Sequence, residues 1–209
     1  MVSGGVLLVS GGTVTLTNSY NVTYSSASAT AGIELTGSGL NNITINPGSG
    51  HTVTLTSGLT SSGTLSLSSG ALVLNGYNLT VSGAVAASGS GTVTSGPSSS
   101  IAITTSWGTG GTLNFTGGSS ANNLTVNVGA GYQTAIGGSL DVMGTLGLTS
   151  GTLNFSGGNL TIGGAVSGSG SLSGSSTANL TVSTAGGIGS SLSFASGGQT
   201  VNNFGSVSV

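Results

Sequence analysis

The chain has 209 residues, 42 of them glycine, and contains no lysine, arginine or cysteine. Two acids, Glu34 and Asp141, and one histidine, His51, leave a formal net charge of −2. Since affinity for nucleic acids and for anionic lipid headgroups comes from lysine and arginine, neither partner is expected. The sequence also lacks a run of about 18 apolar residues, so we predict no insertion into a membrane.

The remaining composition is polar, but it differs from that of a disordered linker. Valine, leucine and isoleucine recur regularly, and the mean hydropathy is +0.41, so the chain is expected to bury a core. The first ten residues lack the basic region of a signal peptide, and any export signal is expected to have been removed or to lie outside this sequence. An uncharged surface without sites for trypsin-like proteases is typical of exported fibre proteins. We therefore predict an extracellular or cell-surface location.

Apolar residues alternate with hydroxyl-bearing residues in several short segments. A period of two predicts half-buried strands, with apolar side chains on one face and hydroxyls on the other. Glycine-containing pairs between these segments tolerate positive φ and mark turns, and no segment shows the helical period. We predict an all-β fold. The clearest alternating segments are residues 13–17, 52–56, 64–68 and 191–194.

A long internal repeat organises these strands. Residues 63–81 recur 81 positions later as residues 144–162, and residues 41–46 recur at the same offset as residues 122–127. Repeats of this kind are typical of proteins in which each unit covers the apolar face of its neighbour. With a gap of one or two residues, 111–115 also matches 190–194.

Because the repeat extends over the whole sequence, we predict one repetitive β domain over residues 1–209. Residues 63–143 form a complete repeat, between a partial repeat at 1–62 and another at 144–209. Because both outer repeats are incomplete, we expect the chain either to be cut from a longer array or to be completed by a neighbouring chain.

Two architectures fit the repeat. In a parallel β-solenoid (β-helix), about 81 residues would form about four coils, with like residues stacked in ladders; the alternative is one or more β-sandwich subunits with strand exchange. Short strands, dense turns and the even spacing of Leu65, Leu72 and Leu79 favour the solenoid. Asparagine amides could bond from coil to coil, whereas like charges would stack about 4.8 Å apart. A solenoid therefore explains the missing charges.

The pattern GTLxLxSGxLxLxGxNLTxxGxVxGSGxLxGSSxxNLTV runs through residues 63–104 and again through 144–184. In this pattern the chain resembles the repeats of large bacterial surface proteins, namely filamentous-haemagglutinin-like adhesins and autotransporter-passenger β-helices. The resemblance implies export, a right-handed parallel β-helix, and a role as a stalk or an adhesive surface. It carries no binding residue over to this chain.

The charged residues do not form a catalytic motif. Glu34 and Asp141 lie between apolar neighbours and are predicted to be outward residues of strands, and neither has a second acid near it in sequence. A glycosidase needs two carboxyls flanking one bond. A serine triad with His51 and Asp141 would lack the strand–turn–helix elbow, and His51 is expected in a partly exposed turn. With no cluster of metal ligands and no cofactor motif, we predict a protein that is not an enzyme and that needs neither metal nor cofactor.

Eight asparagines begin Asn-x-Ser/Thr sequons. Turn or ladder asparagines are the simpler interpretation, and several sequons recur because the repeat recurs. In a host that glycosylates exported proteins, they would be acceptor sites. They are Asn21, Asn42, Asn78, Asn114, Asn123, Asn154, Asn159 and Asn179.

Two further surfaces were considered as binding sites. Regular Thr-x-Thr segments at 13–17 and 52–56 match the pattern of ice-binding solenoids locally, although the coil between them does not repeat it. Aromatic residues could form a platform for sugars, or they could pack against the core. They are Trp107, Tyr20, Tyr24, Tyr77 and Tyr132.

These observations predict a structural or adhesive extracellular protein that forms a stiff rod or fibre. The alternative is a subunit of a homopolymeric filament, in which residues 5–17 or 201–209 complete a neighbour's sheet by β-strand addition. A sugar- or ice-binding solenoid is a further alternative. The expected partner is the chain itself, as a homopolymer or a longer array, with glycans or cell surfaces as other candidates.

Overall fold

The computed structural model describes residues 19–86, 89–105, 111–175, 177–184, 187–195 and 204–207. Within them the chain is all-β, and its strands stack in parallel as a β-solenoid of about seven coils. The one helical element of this described part is a 3-10 turn, Ile33–Leu35. The solenoid prediction is confirmed, and the sandwich alternative is excluded because its sheets would be antiparallel.

The strands are short, and most have two to five residues. In chain order they are β1 (Tyr20–Tyr24), β2 (Ala29–Thr30), β3 (Leu40–Ile45), β4 (Thr52–Thr54), β5 (Leu59–Ser61), β6 (Leu65–Leu67), β7 (Ala71–Val73), β8 (Leu79–Val81), β9 (Val85–Ala86), β10 (Thr92–Thr94), β11 (Ile101–Ile103), β12 (Gly111–Asn114), β13 (Ser119–Ala121), β14 (Leu124–Asn127), β15 (Gln133–Gly137), β16 (Leu140–Val142), β17 (Leu146–Ser150), β18 (Thr152–Gly157), β19 (Asn159–Ile162), β20 (Val166–Ser167), β21 (Ser171–Ser173), β22 (Asn179–Val182) and β23 (Phe204–Val207).

Five parallel sheets run along the solenoid. The first coil contains β1, β2 and the 3-10 turn, and each later coil up to β20 contains three successive strands; β21 and β22 follow in the next coil, and β23 stacks on β22. Between one strand of sheet C and the next, the chain forms two other strands. These two belong to sheets A and B in the earlier coils and to sheets D and E from β12 onward. The orders are β1-β3-β6-β9 (sheet A), β2-β4-β7-β10 (sheet B), β5-β8-β11-β14-β17-β20 (sheet C), β12-β15-β18-β21 (sheet D) and β13-β16-β19-β22-β23 (sheet E).

Sheet C shows how the core is built. Leu59 pairs with Leu79 and Leu79 with Ile101, so these two coils take 20 and 22 residues. Like side chains thus lie above one another, and burying each is worth about 1.5–3 kcal/mol. The resulting inward column is Leu59, Leu79, Ile101, Leu124, Leu146 and Val166, all of them buried.

Glycine is required where backbones of successive coils meet at turns. Gly70 has φ +74°, and a Cβ added there would lie 2.6 Å from the carbonyl oxygen of His51. At Gly83 an added Cβ would lie 1.9 Å from the carbonyl oxygen of Gly63, one coil below. These distances are shorter than any real Cβ contact, so the high glycine content reflects how tightly the corners stack.

The sequence repeat and the coils are out of phase. Residues 63–81 include β6, β7 and β8, and their copy at 144–162 includes β17, β18 and β19, eleven strands later. Because a coil holds three strands, eleven strands are not a whole number of coils. Equivalent strands therefore lie in different sheets: β6 in A but β17 in C, and β8 in C but β19 in E. The repeat therefore spans three and two-thirds coils, one strand short of four, against the expected value of about four.

The shorter match behaves differently. Residues 111–115 contain β12 of sheet D, and their counterpart at 190–194 returns to the same sheet, where Phe194 forms a bridge with Leu172 of β21. An additional segment precedes it, in which Ile188 accepts a hydrogen bond from the N–H of Val166 in sheet C. The gap of one or two residues in the alignment of 111–115 with 190–194 thus occurs where the second copy has one additional segment, which lies on the face of sheet C.

Candidate functional site

Asparagine side chains connect successive coils at the start of sheet A. Asn21 Oδ1 accepts a hydrogen bond from the backbone N–H of Asn42 at 3.0 Å. Asn42 Oδ1 accepts one from the N–H of Thr64, one coil further on, at 2.8 Å. Each carboxamide thus satisfies a backbone donor that the ladder leaves unpaired: Asn42 N–H at the register shift between β1 and β3, and Thr64 N–H just before β6 pairs with β3.

A second ladder lies at the start of sheet C. Asn78 Oδ1 accepts a hydrogen bond from the N–H of Ser100 at 2.9 Å. In the next coil Asn123 donates from Nδ2 to Ser100 Oγ at 3.3 Å and accepts at Oδ1 from the N–H of Thr145 at 2.8 Å. Four coils are linked by these bonds.

A third ladder lies at the start of sheet E and differs in its chemistry. Asn159 Nδ2 donates to Ser139 Oγ at 3.3 Å, and Asn179 Nδ2 donates to Asn159 Oδ1 at 2.9 Å. The predicted bonding of one asparagine amide to the next holds for this pair. In the other two ladders the amide oxygen accepts from backbone N–H groups instead.

The ladders explain why sequons recur. In each of these six cases the asparagine directly precedes a buried apolar residue, and the residue after that is a threonine whose side chain points outward. Asn78, Leu79 and Thr80 are an example, with Leu79 fully buried. The Asn-x-Thr sequence therefore follows from a ladder asparagine and from the alternation of inward apolar and outward hydroxyl side chains in the strand after it. Glycosylation of these asparagines stays a prediction.

The remaining two sequon asparagines lie inside sheet D. Asn114 ends β12, and the Oδ1 atom of Asn114 would lie 2.1 Å from a Cβ added at Gly137. Asn154 lies within β18 and has a side-chain or backbone partner of its own. Both precede a buried phenylalanine, Phe115 and Phe155.

Glu34 corrects the sequence interpretation, which had placed it on the outside of a strand. It lies in the 3-10 turn and is only 4% exposed, whereas Ile33 beside it is 42% exposed. Glu34 Oε1 accepts hydrogen bonds from the backbone N–H of Gly32 at 2.7 Å and from the hydroxyl of Tyr24. Its Oε2 is buried without a hydrogen-bond partner among the described residues.

Two tyrosines of β1 surround this carboxylate. Tyr20 donates its hydroxyl to the backbone carbonyl of Glu34 at 3.0 Å. Burial raises the pKa of Tyr24, and its hydrogen bond to Glu34 raises that pKa further. Burial is also the main cause that raises the pKa of Tyr20. Tyr24 thus belongs to an internal polar cluster and is not available for a sugar platform, whereas Tyr20 is partly buried and has its hydroxyl engaged in the same cluster.

The other aromatic residues do not come together with them. Tyr77 and Tyr132 are exposed, in the turn before β8 and the turn before β15 respectively. Trp107 lies outside the described residues. Sugar binding through aromatic residues stays a prediction.

Asp141 and His51 lie as the sequence predicted. Asp141 is the exposed central residue of β16, and His51 is exposed in the turn before β4, with its Nδ1 3.4 Å from Ser28 Oγ. Glu34 is in the first coil and Asp141 in the sixth, so about 24 Å of stacked strands separates them. Glycosidase carboxyls lie about 5–9.5 Å apart. Neither this pair nor a triad of His51 with Asp141, four coils apart, is formed.

The Thr-x-Thr segments lie on the outward face of sheet B. Thr52 and Thr54 point outward from β4, and two coils later β10 repeats the pattern with Thr92 and Thr94. The intervening β7 presents Ala71 and Val73, so the interruption noted in the sequence is present. A shallow groove of about 460 Å³ lies over this face. Residues 13–17 lie outside the described part, and ice binding stays a prediction.

The described ranges contain no group of three or more histidine, cysteine or acidic residues that could hold a metal ion. No helix in the same residues is long and apolar enough to span a membrane. Comparison with known proteins gave no match to a family model, to a curated protein or to a solved structure.

Proposed function

We propose that this protein is a structural or adhesive segment of an extracellular fibre. The observation that carries the proposal is the uninterrupted parallel stacking: sheet C alone joins six consecutive coils. Because each coil adds about 4.8 Å, seven coils give a rod about 34 Å long. Length in such a fold is set by coil number, which suits a stalk or a spacer.

The outer surface supports the same function. The outward row of sheet C carries small neutral side chains in each of its six coils, and the exposed acid of the described part, Asp141, lies four coils from the exposed imidazole of His51. Such a surface has little electrostatic repulsion, which favours side-by-side or end-to-end association of copies. The row is Thr60, Thr80, Ala102, Thr125, Gly147 and Ser167.

Negative-stain electron microscopy of the purified chain tests the proposal. Thin rods a few nanometres long are expected, since about seven coils are stacked. Ala102→Pro removes a backbone donor from the middle of sheet C and should shorten or abolish the rods, whereas Ala102→Ser should leave them unchanged. A longest dimension of the unmodified single chain that differs clearly from about 34 Å would contradict the stacked coils.

The homopolymeric filament remains the alternative, and the same images separate the two. Uniform filaments with an axial repeat close to one subunit would favour strand addition between copies. Of the two terminal segments predicted for this role, residues 5–17 lie outside the described part. In the other, β23 (Phe204–Val207) pairs in parallel with β22 of its own chain. Mutations for the filament would therefore start with the N-terminal segment.

A further inference from the structure

Two sequons with nearly identical neighbours lie in different surroundings. Asn78 in GYNLTV and Asn159 in GGNLTI are equivalent in the repeat. Because the repeat spans eleven strands, Asn78 precedes β8 of sheet C and Asn159 begins β19 of sheet E. The two sites therefore form a matched pair, in which the local sequence is nearly the same and the structural surroundings differ.

At Asn78 only one side of the carboxamide is engaged. Its Oδ1 accepts the N–H of Ser100, and its Nδ2 has no hydrogen-bond partner among the described residues. The whole turn from 75 to 78 is exposed. Gly58 lies in the coil below, where a Cβ added to it would be 3.7 Å from the backbone oxygen of Asn78. Because Gly58 has no side chain, it leaves space beside Asn78.

At Asn159 both sides of the carboxamide are engaged. Nδ2 donates to Ser139 Oγ in the coil below, and Oδ1 accepts from Asn179 Nδ2 in the coil above. A substituent on Nδ2 removes one of its hydrogens and places bulk between stacked coils. Nδ2 keeps its second hydrogen, so the ladder of sheet E retains the contact with Ser139 only when the substituent lies on the other side of the nitrogen.

We propose that Asn78 is the preferred acceptor site for N-linked glycosylation and that Asn159, although it is also exposed and has a matching sequon, is disfavoured by its ladder. The co-substrate is an activated sugar linked through a diphosphate. The Nδ2 atom forms a bond to C1 of the sugar, the bond from C1 to the diphosphate oxygen breaks, and one amide proton leaves with the diphosphate. Oδ1 keeps its role as acceptor, so the bond from Ser100 survives. The biological setting of this site rests on the proposed extracellular function.

The test is glycosylation of the purified folded chain by an N-oligosaccharyltransferase with a polyprenyl-diphosphate-linked oligosaccharide. Site occupancy is measured by mass spectrometry of non-tryptic peptides, on the folded chain and on chain kept unfolded in mild urea. In the folded chain, Asn78 should be modified at least about fivefold more than Asn159, the factor that corresponds to one intramolecular hydrogen bond. In the unfolded chain, the two sites should be modified about equally, because their local sequences nearly match.

Asn78→Gln should remove the dominant glycopeptide from the folded sample. Equal occupancy of the two sites in the folded chain, or a preference for Asn159, would overturn the proposal. So would modification of both sites in urea with none at Asn78 in the folded chain. The rod measured by microscopy does not depend on any of these outcomes, so the two proposals fail separately.

Discussion

Glu34 and Tyr24 form the polar interior of the first coil, in a chain that otherwise buries mostly apolar side chains. A buried carboxyl is tolerated when hydrogen bonds compensate it, and here the Tyr24 hydroxyl and the Gly32 N–H both donate to Oε1. The second oxygen, Oε2, lacks a partner in the described part. The raised pKa of Tyr24, caused first by burial and then by its hydrogen bond to Glu34, therefore ties the stability of this end of the solenoid to pH.

The raised pKa of Tyr24 makes stability depend on pH on the alkaline side. In the unfolded chain tyrosine ionises near pH 10, whereas the folded chain holds the proton more tightly because Tyr24 is buried and bonded to Glu34. This contribution to the free energy of unfolding is complete below about pH 10 and is lost as the pH rises toward the folded pKa. Urea unfolding at pH 7 and pH 11 should show the loss in the unmodified chain.

Tyr24→Phe is the matched variant, since it retains the ring and removes the ionisable hydroxyl. It should be less stable at pH 7, by about 1–3 kcal/mol, because Glu34 loses a donor. Its stability should decline less between pH 7 and pH 11. The same decline in both proteins would show that Tyr24 does not govern the alkaline response.

At the scale of the strand and its turn, glycine decides how closely two coils can approach. A Cβ on Gly83 would lie 1.9 Å from the carbonyl oxygen and 2.5 Å from the carbonyl carbon of Gly63, and backbone cannot move aside as a side chain can. Gly83→Ala should therefore lower the free energy of unfolding by about 1–3 kcal/mol, as overpacking does. Thermal and urea unfolding followed by circular dichroism measure the change.

Gly96 provides the control for this substitution. It also lies in a turn and has no positive φ, and a Cβ built on it meets nothing within 4 Å. Gly96→Ala should be neutral or stabilise the fold by about 0.4–1 kcal/mol through the unfolded chain. Equal destabilisation by both variants would mean that alanine is disfavoured by turn conformation, and that contact between coils is not the cause.

At the scale of the whole molecule, the alternation in segments such as 52–54 and 65–67 was sufficient to predict short strands, and the missing charges predicted stacking. The 3-10 turn at Glu34 could not be predicted, because Ile33, Glu34 and Leu35 alternate as a strand does. Nor could the phase of the repeat, since a sequence period does not state how many strands make one coil. The surroundings of the sequon asparagines depend on this phase, because it places Asn78 at sheet C and Asn159 at sheet E although their local sequences are nearly the same.

The phase leads to a prediction about the faces of the solenoid. If a strand is placed by its order along the chain, then removing residues 66–146 joins Leu65 to Gly147 and lets β17 to β19 occupy the places of β6 to β8. The inward positions are preserved, since Leu65 and Leu146 are equivalent in the repeat and both are buried. The shortened chain should fold as a rod about 18 Å shorter, because eleven strands are nearly four coils at about 4.8 Å each. Small-angle X-ray scattering measures the length.

The control is a deletion that is one residue shorter, 66–145. It tests whether the faces of the solenoid are interchangeable or whether the chain simply tolerates a deletion at this place. This junction places Leu65 directly before Leu146, and a slip of one residue turns every later side chain of that strand to the opposite face. Leu148, buried in the unmodified chain, would then face solvent. The 80-residue deletion should unfold at lower urea than the 81-residue deletion. If the 81-residue deletion fails to fold while the intact chain is a rod, the faces are not interchangeable, and each strand is specific to the sheet in which it lies.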